Sequence, residues 1–117
     1  MTVVANRNID ITFEDDLESS TTYSATENSD SPGQVQIVTL ASGANTITVP
    51  TGGTTPKAVT IVKPTGNTTS ITFKGVTGDT GVRLHDTDPD SISLHSGVAT
   101  FCLTAGASLP GVRLIWT

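Results

Sequence analysis

Residues 57–74 read Lys-Ala-Val-Thr-Ile-Val-Lys-Pro-Thr-Gly-Asn-Thr-Thr-Ser-Ile-Thr-Phe-Lys, which is two runs of apolar and β-branched residues around a Pro-Thr-Gly-Asn segment. Valine, isoleucine and threonine favour strands because their branched Cβ atoms pack well on a pleated sheet. Proline pre-sets φ at the start of a turn and glycine supplies a positive φ, so the central segment is predicted to be a turn. This stretch therefore predicts strands at 58–63 and 68–74, with Ile71 and Phe73 facing inward.

The same pattern continues in both directions from this stretch. Apolar residues alternate with polar ones from Val35 onward, helical periodicity is nearly absent, and turns rich in Gly and Pro separate the runs. Further strands are predicted at 34–41, 46–50, 82–84, 91–95, 98–103 and 112–116. Short strands that recur about every 8–12 residues, with turns between them, are typical of a β-sandwich or barrel. We expect an all-β fold, a β-sandwich of the jelly-roll type with about eight short antiparallel strands and an extended N-terminal segment.

Two of these strands lie in residues 31–56, a segment that contains no charged side chain. The turn sequence Ser-Gly-Ala-Asn at 42–45 predicts a hairpin between them. In the first strand, Val35 and Ile37 lie on one face, and Val38 and Leu40 on the other. Because interface cores are depleted of charge, this uncharged segment is a candidate for buried contact between subunits. Plain sandwich core is the alternative.

Residues 1–32 differ in composition from the rest of the chain, since they hold seven of its eleven acidic residues. Apolar and polar residues alternate there, which predicts a half-buried strand at 2–13 and a short polar strand at 21–26. Disorder is an open alternative for 14–32. We divide the single domain into an acidic N-terminal strand or arm with its loop, at 1–32, and a β-sandwich core at 33–117.

The N-terminal strand has two interpretations. It is either an edge strand of the sandwich, or an arm that adds a strand to the exposed sheet edge of a neighbouring subunit. In the second interpretation its apolar side chains bind the partner, and these are Val3, Val4, Ile9, Ile11 and Phe13.

The charge balance excludes some classes of partner. The formal net charge is −5, and the six Lys and Arg residues are scattered along the chain. Nucleic-acid binding requires a basic face, and an anionic membrane surface also attracts basic segments, so neither partner is expected. No window approaches the roughly 20 apolar residues of a membrane-spanning helix. The N-terminus lacks the pattern of a secretory signal, so synthesis in a cytoplasm is expected.

Three aspartates alternate in the segment His85-Asp86-Thr-Asp-Pro-Asp90, as at the start of a calcium loop. The match then fails, because the sixth and twelfth positions are Ser91 and Gly97 instead of Gly and Glu. An Asp/Pro loop between strands is the simpler interpretation, and a calcium site of another type than the EF-hand is the alternative. No metal site and no cofactor is expected.

No catalytic constellation is recognisable in the chain. The only histidines, His85 and His95, are predicted to be partly exposed loop or strand-end residues. The only cysteine, Cys102, lies in an apolar run and is predicted to be a small buried hydrophobe. No nucleophile elbow, P-loop or dinucleotide fingerprint is present. The chain is therefore not expected to be an enzyme.

Residues 58–85 (Ala-Val-Thr-Ile-Val-Lys-Pro-Thr-Gly-Asn-Thr-Thr-Ser-Ile-Thr-Phe-Lys-Gly-Val-Thr-Gly-Asp-Thr-Gly-Val-Arg-Leu-His) and the ending Gly111-Val-Arg-Leu-Ile-Trp-Thr117 resemble small structural proteins of tailed bacteriophages. Such proteins are virion components without an active site. The resemblance is strongest to capsid decoration (cement) proteins. It implies a homotrimer on the capsid surface of the virion that binds and stabilises the lattice of the major capsid protein.

Two other functions remain open. One is a tail, fibre or baseplate β-module of the same kind of virion. The other, from a different class, is a carbohydrate-binding jelly-roll module, which would need exposed aromatic side chains to stack on sugars.

Overall fold

The computed structural model describes residues 5–14, 20–29, 34–51 and 55–117. Within these ranges the chain forms β-strands and turns, and nothing there forms a helix of the length and apolar character needed to cross a membrane. The strands are β1 (Ala5–Glu14), β2 (Ser20–Ser29), β3 (Gln34–Leu40), β4 (Gly43–Thr48), β5 (Ala58–Val62), β6 (Ile71–Lys74), β7 (Val82–Arg83), β8 (Asp90–Ser93), β9 (Thr100–Ala105) and β10 (Leu109–Trp116).

Eight of these strands form two four-stranded antiparallel sheets. The first sheet has the order β3-β10-β5-β8, and the second has the order β4-β9-β6-β7. The pairs are nested along the chain, from β6 with β7 outward through β5 with β8 and β4 with β9 to β3 with β10. The predictions of an all-β fold and of a β-sandwich with about eight strands are confirmed.

The core of the sandwich lies between the inner faces of the two sheets. Its largest side chains form a row of rings in which Phe101 lies 5.2 Å from Phe73 and 6.0 Å from Trp116, measured between centroids. Val112, Leu114 and Trp116 are buried on one face of β10, as their alternation predicts. Most of the remaining core is aliphatic, in keeping with the low aromatic content.

The predicted hairpin between 34–41 and 46–50 is wrong, because β3 and β4 belong to different sheets. The connection is a corner at which the chain crosses from the first sheet to the second. Gly43 has a φ of 97°, and the side chain of Asn45 holds the corner from inside. Its Oδ1 accepts from the backbone N–H of Ala41, and its Nδ2 donates to the carbonyl oxygens of Ala41, Gly43 and Leu103.

The turn predicted at 64–67 is confirmed, since the N–H of Asn67 donates to the carbonyl oxygen of Pro64 at 3.1 Å and Gly66 has a φ of 73°. This turn also carries the chain across the sandwich, from β5 in the first sheet to β6 in the second. The turn residues at 42–45 and 64–67 therefore lie where the chain crosses from one sheet to the other. They do not join two strands that pair with each other.

The N-terminal strands form a third, two-stranded sheet. β1 pairs with β2 along its whole length, and Ile11 lies opposite Tyr23. The predicted strand at 2–13 is confirmed where the structure describes it, while the interpretation of this strand as an edge of the sandwich is wrong. Of the stretch for which disorder was an alternative, Ser20–Ser29 is strand. We call β1 and β2 together the N-terminal hairpin.

Candidate interaction surface

The outer face of the first sheet exposes a patch of apolar side chains around one arginine. Antiparallel register places Ile37, Arg113 and Val62 side by side on β3, β10 and β5. The next row contains Val35, Ile115 and Thr60. We call these six residues the Arg113 face.

Exposure on the Arg113 face is highest along β3. Val35 is 59% exposed and Ile37 is 67% exposed, while Val62 and Ile115 are half-buried. Large apolar side chains in contiguous exposed rows are uncommon on a protein that acts alone, and they mark surfaces that bind partners. The sequence contained a signal for this exposed apolar surface, because residues 34–41 place apolar side chains on both faces of the strand.

Arg113 is exposed at the centre of this face. In the described part of the chain no carboxylate pairs with its guanidinium group. Beside it lies a recess of about 210 Å³, lined by Val62, Lys63, Pro64, Thr65, Gly111 and Arg113. A β-bulge shapes this end of β10, because the register with β3 shifts between Leu109 and Val112 and Gly111 has a φ of 77°. The face therefore offers a cation without an ion-pair partner among the described residues, surrounded by apolar side chains of the sheet.

The predicted partner-binding residues lie at the other end of the chain. Val3 and Val4 are outside the described residues. Ile9, Ile11 and Phe13 lie on β1, at register positions opposite Ala25, Tyr23 and Thr21 of β2. The structure therefore places three of the five residues on a strand that is separate from the sandwich sheets. The Arg113 face contains Val35 and Ile37 of the uncharged segment 31–56, which was a candidate for contact between subunits, but its combination with Arg113 was not predicted.

The aspartate loop between β7 and β8 is organised by ion pairs and backbone hydrogen bonds. Two of the carboxylates pair with cations, Asp86 with Arg83 at 3.1 Å and Asp90 with Lys63. The carboxylate of Asp88 lies 3.7 Å from the Nδ1 of His85. In the described ranges no three His, Cys, Asp or Glu side chains are grouped so that they could hold a metal ion. These contacts fit the simpler interpretation of the segment as an Asp/Pro loop.

Lys63 holds this loop through hydrogen bonds from its buried side chain. Its side chain is fully buried, and its Nζ donates to the carboxylate of Asp90 and to the carbonyl oxygen of Asp88, the latter at 2.6 Å. Burial lowers the pKa of the Lys63 ammonium group, while the nearby carboxylates of Asp88 and Asp86 act in the opposite direction. The buried Asn67 adds a second anchor by donating to the carbonyl oxygen of Asp86 at 2.8 Å. The Lys63 ammonium group and the Asn67 amide therefore both stabilise the aspartate loop.

Both histidines lie at exposed loop positions, as predicted. The Nδ1 of His85 accepts hydrogen bonds from the backbone N–H groups of Thr87 and Asp88, at 3.2 and 2.9 Å. The Nδ1 of His95 accepts from the N–H of Gly97 at 3.0 Å. Each ring therefore closes its own turn.

Cys102 is buried, as predicted, with 3% of its surface exposed. Its nearest polar contact is the hydroxyl of Thr104, 3.9 Å from Sγ. Thr46 and Lys74 lie opposite it on the two neighbouring strands. The thiol has no base in hydrogen-bonding contact among the described residues, and its position is that of a packing residue.

Comparison of this chain with protein-family models, with curated proteins and with solved structures finds no match.

Proposed function

We propose that this chain is a structural protein of a tailed-bacteriophage virion that decorates the capsid and stabilises it by binding the lattice of the major capsid protein. The observation that carries the proposal is the Arg113 face. Interface cores are apolar and enriched in arginine, and arginine is one of the residues that most often dominate the binding energy of an interface. Residues 58–85 and 111–117 resemble small phage structural proteins, and this resemblance indicates another structural protein of the virion as the partner.

Stabilisation of the capsid would follow from mass action. A subunit that binds only the mature lattice stabilises it by about 2.7 kcal/mol per site when its free concentration is about a hundred times Kd. A subunit that contacts two neighbouring capsid proteins would also resist their separation. The chain has a formal net charge of −5, which suits a protein that binds the shell and avoids the packaged nucleic acid.

We also infer a jelly-roll topology for the sandwich. The nested pairing from β6 with β7 outward to β3 with β10 is the pattern of one long hairpin of eight strands folded over into two sheets. Such a rigid sandwich presents its outer sheet faces to partners without rearrangement, which reduces the entropic cost of binding.

The described aromatic side chains of the sandwich do not form a surface on which a sugar could stack. Trp116 and Phe101 are buried and Phe73 is half-buried against them, so the described side chains include no exposed aromatic ring. Sugar-binding surfaces commonly use exposed rings for stacking. A glycan-array screen tests the carbohydrate-binding alternative, and saturable binding to a sugar would favour it.

The direct test is co-sedimentation with expanded heads built from the major capsid protein encoded in the same genome. Val62→Glu places a charge inside the Arg113 face, and Val76→Glu makes the same change at an exposed position in the β6–β7 loop. We expect the wild type and V76E to sediment with the heads, and V62E to bind at least about tenfold more weakly. Near-UV circular dichroism of Trp116 confirms that each variant is folded.

Absence of wild-type binding to heads would contradict the decoration function. Saturable binding to isolated tails instead of heads would support the tail or baseplate alternative.

A further inference from the structure

The two sides of the sandwich have different edge strands. On one side the edges are β3 and β4, of seven and six residues, and neither contains a charged residue or a proline. On the other side they are β7 and β8, of two and four residues, which contain Arg83 and Asp90. Natural sheets protect their edges with short strands, charges and prolines, because an open edge pairs with other strands. Only the β7/β8 side has this protection.

β3 has the features of a strand that accepts a partner. One side of its backbone pairs with β10, and the other side faces no strand in the part of the chain that the structure describes. Val35 and Ile37 are exposed beside this open edge. An added strand would bond to the free backbone groups, and its own side chains would lie beside Val35 and Ile37 on the outer face of the sheet, as in β-strand addition.

The N-terminal hairpin has the features of the strand that is added. β1 and β2 pair only with each other in the described part of the fold, so each has an open edge, and β1 is the strand whose sequence alternates apolar with polar residues. Residues 5–29, from the start of β1 to the end of β2, contain six carboxylates and one arginine, a net charge of −5, whereas residues 33–117 contain four carboxylates and five Lys or Arg, a net charge of +1. Hairpin and sandwich are therefore electrostatically complementary.

We propose that the N-terminal hairpin of one copy adds to the open edge of β3 in a second copy, with β1 as the added strand. The first sheet then grows from four strands to six, and Arg113, directly opposite Ile37 on β10, is the cation closest in register to the acidic hairpin. This inference concerns contact between copies and does not depend on a capsid.

Static light scattering after size-exclusion chromatography tests the β3 edge. Ile37→Lys places a charge beside this edge, and Val82→Lys makes a similar change on β7, at a residue with the same exposure of 67%. We expect the wild type and V82K to form the same oligomer and I37K to be monomeric. A rise from 50 to 500 mM salt is expected to weaken wild-type association about tenfold. Near-UV circular dichroism shows whether I37K is folded.

Mixing two full-length variants tests the role of the hairpin. Ile11→Pro removes a backbone N–H from β1 and impairs its pairing, while its own β3 edge stays intact. The I37K variant keeps its hairpin and has an impaired edge. Each variant alone is expected to be monomeric, and their mixture is expected to form a one-to-one dimer through the one intact hairpin and the one intact edge.

Three outcomes would overturn the inference. A wild type that is monomeric at every concentration would exclude contact between copies. I11P that assembles like the wild type would show that the hairpin is not used, and I37K that assembles like V82K would show that the β3 edge is not used.

Discussion

The indole N–H of Trp116 donates a hydrogen bond to the side-chain oxygen of Gln36, with 3.2 Å between Nε1 and Oε1. Trp116 is 1% exposed in the core, and Gln36 lies half-buried on β3, the strand with the open edge. A buried indole needs an acceptor, because its N–H has left water. This bond therefore ties the edge strand to the centre of the sandwich.

Replacement of Gln36 by leucine is expected to destabilise the fold by about 1–3 kcal/mol, because the buried indole N–H would lose its acceptor. Urea unfolding followed by Trp116 fluorescence measures the change. Gln36→Glu keeps an acceptor oxygen and should cost less than Gln36→Leu. Equal stability of Q36L and the wild type would contradict this role.

Lys63→Met is expected to destabilise the fold by about 2 kcal/mol. The change leaves the carboxylate of Asp90 and the carbonyl of Asp88 without their buried donor. Lys74→Met is the matched control, since Lys74 is half-buried and makes no ion pair in the described ranges. Thermal unfolding should separate the two variants clearly, and similar midpoints would argue against an anchoring role for Lys63.

Two glycines with nearly the same backbone allow steric and conformational costs to be separated. Gly66 and Gly81 have φ angles of 73° and 74°. A Cβ at Gly66 would meet nothing within 4 Å, but a Cβ at Gly81 would lie 2.5 Å from the carbonyl oxygen of Phe73. We expect Gly66→Ala to cost about 1 kcal/mol from backbone strain alone, and Gly81→Ala to cost at least about 2 kcal/mol more. Equilibrium denaturation of both variants tests the difference.

Asn45→Ala removes the side chain that holds the corner between β3 and β4. Its amide oxygen accepts one bond, its two amide hydrogens are shared among three carbonyl oxygens, and the loss of this set is expected to cost about 2–3 kcal/mol. Asn45→Asp retains the bond from the N–H of Ala41 and loses the three donated bonds. Because its second carboxylate oxygen would face the carbonyl oxygens of Ala41, Gly43 and Leu103, its stability should be no higher than that of N45A. Hydrogen exchange at the N–H of Ala41 should speed up in N45A and much less in N45D.

The strands of the sandwich were predictable because their local pattern determines them. Alternation placed Val112, Leu114 and Trp116 on the buried face of β10, and Pro64 and Gly66 marked a real turn. These features depend on side chains within a few positions of one another. Sequence reasoning therefore recovered the fold class and most strand positions.

The pairing of the strands was not predictable in the same way. The Ser-Gly-Ala-Asn segment has the chemistry of a hairpin turn, but Asn45 also bonds to Leu103, 58 positions away, and the chain crosses to the other sheet. The Arg113 face could not be predicted from the sequence for the same reason. Ile37 and Arg113 are distant in sequence, and only the register of β3 against β10 brings them together.

The nested pairing of the strands has a consequence for how the protein folds. β6 and β7 are joined by a short loop, whereas Gln36 and Trp116, on the outermost pair, are 80 positions apart. Contacts between distant positions slow folding, so milliseconds to seconds are expected for this topology. On the ribosome, β3 and β5 must wait for β10, which lies between them and is the last of the eight strands to be made. Until β10 has been made, β3 lacks its native neighbour. Nascent chains on the same messenger RNA are then expected to associate through their β3 strands.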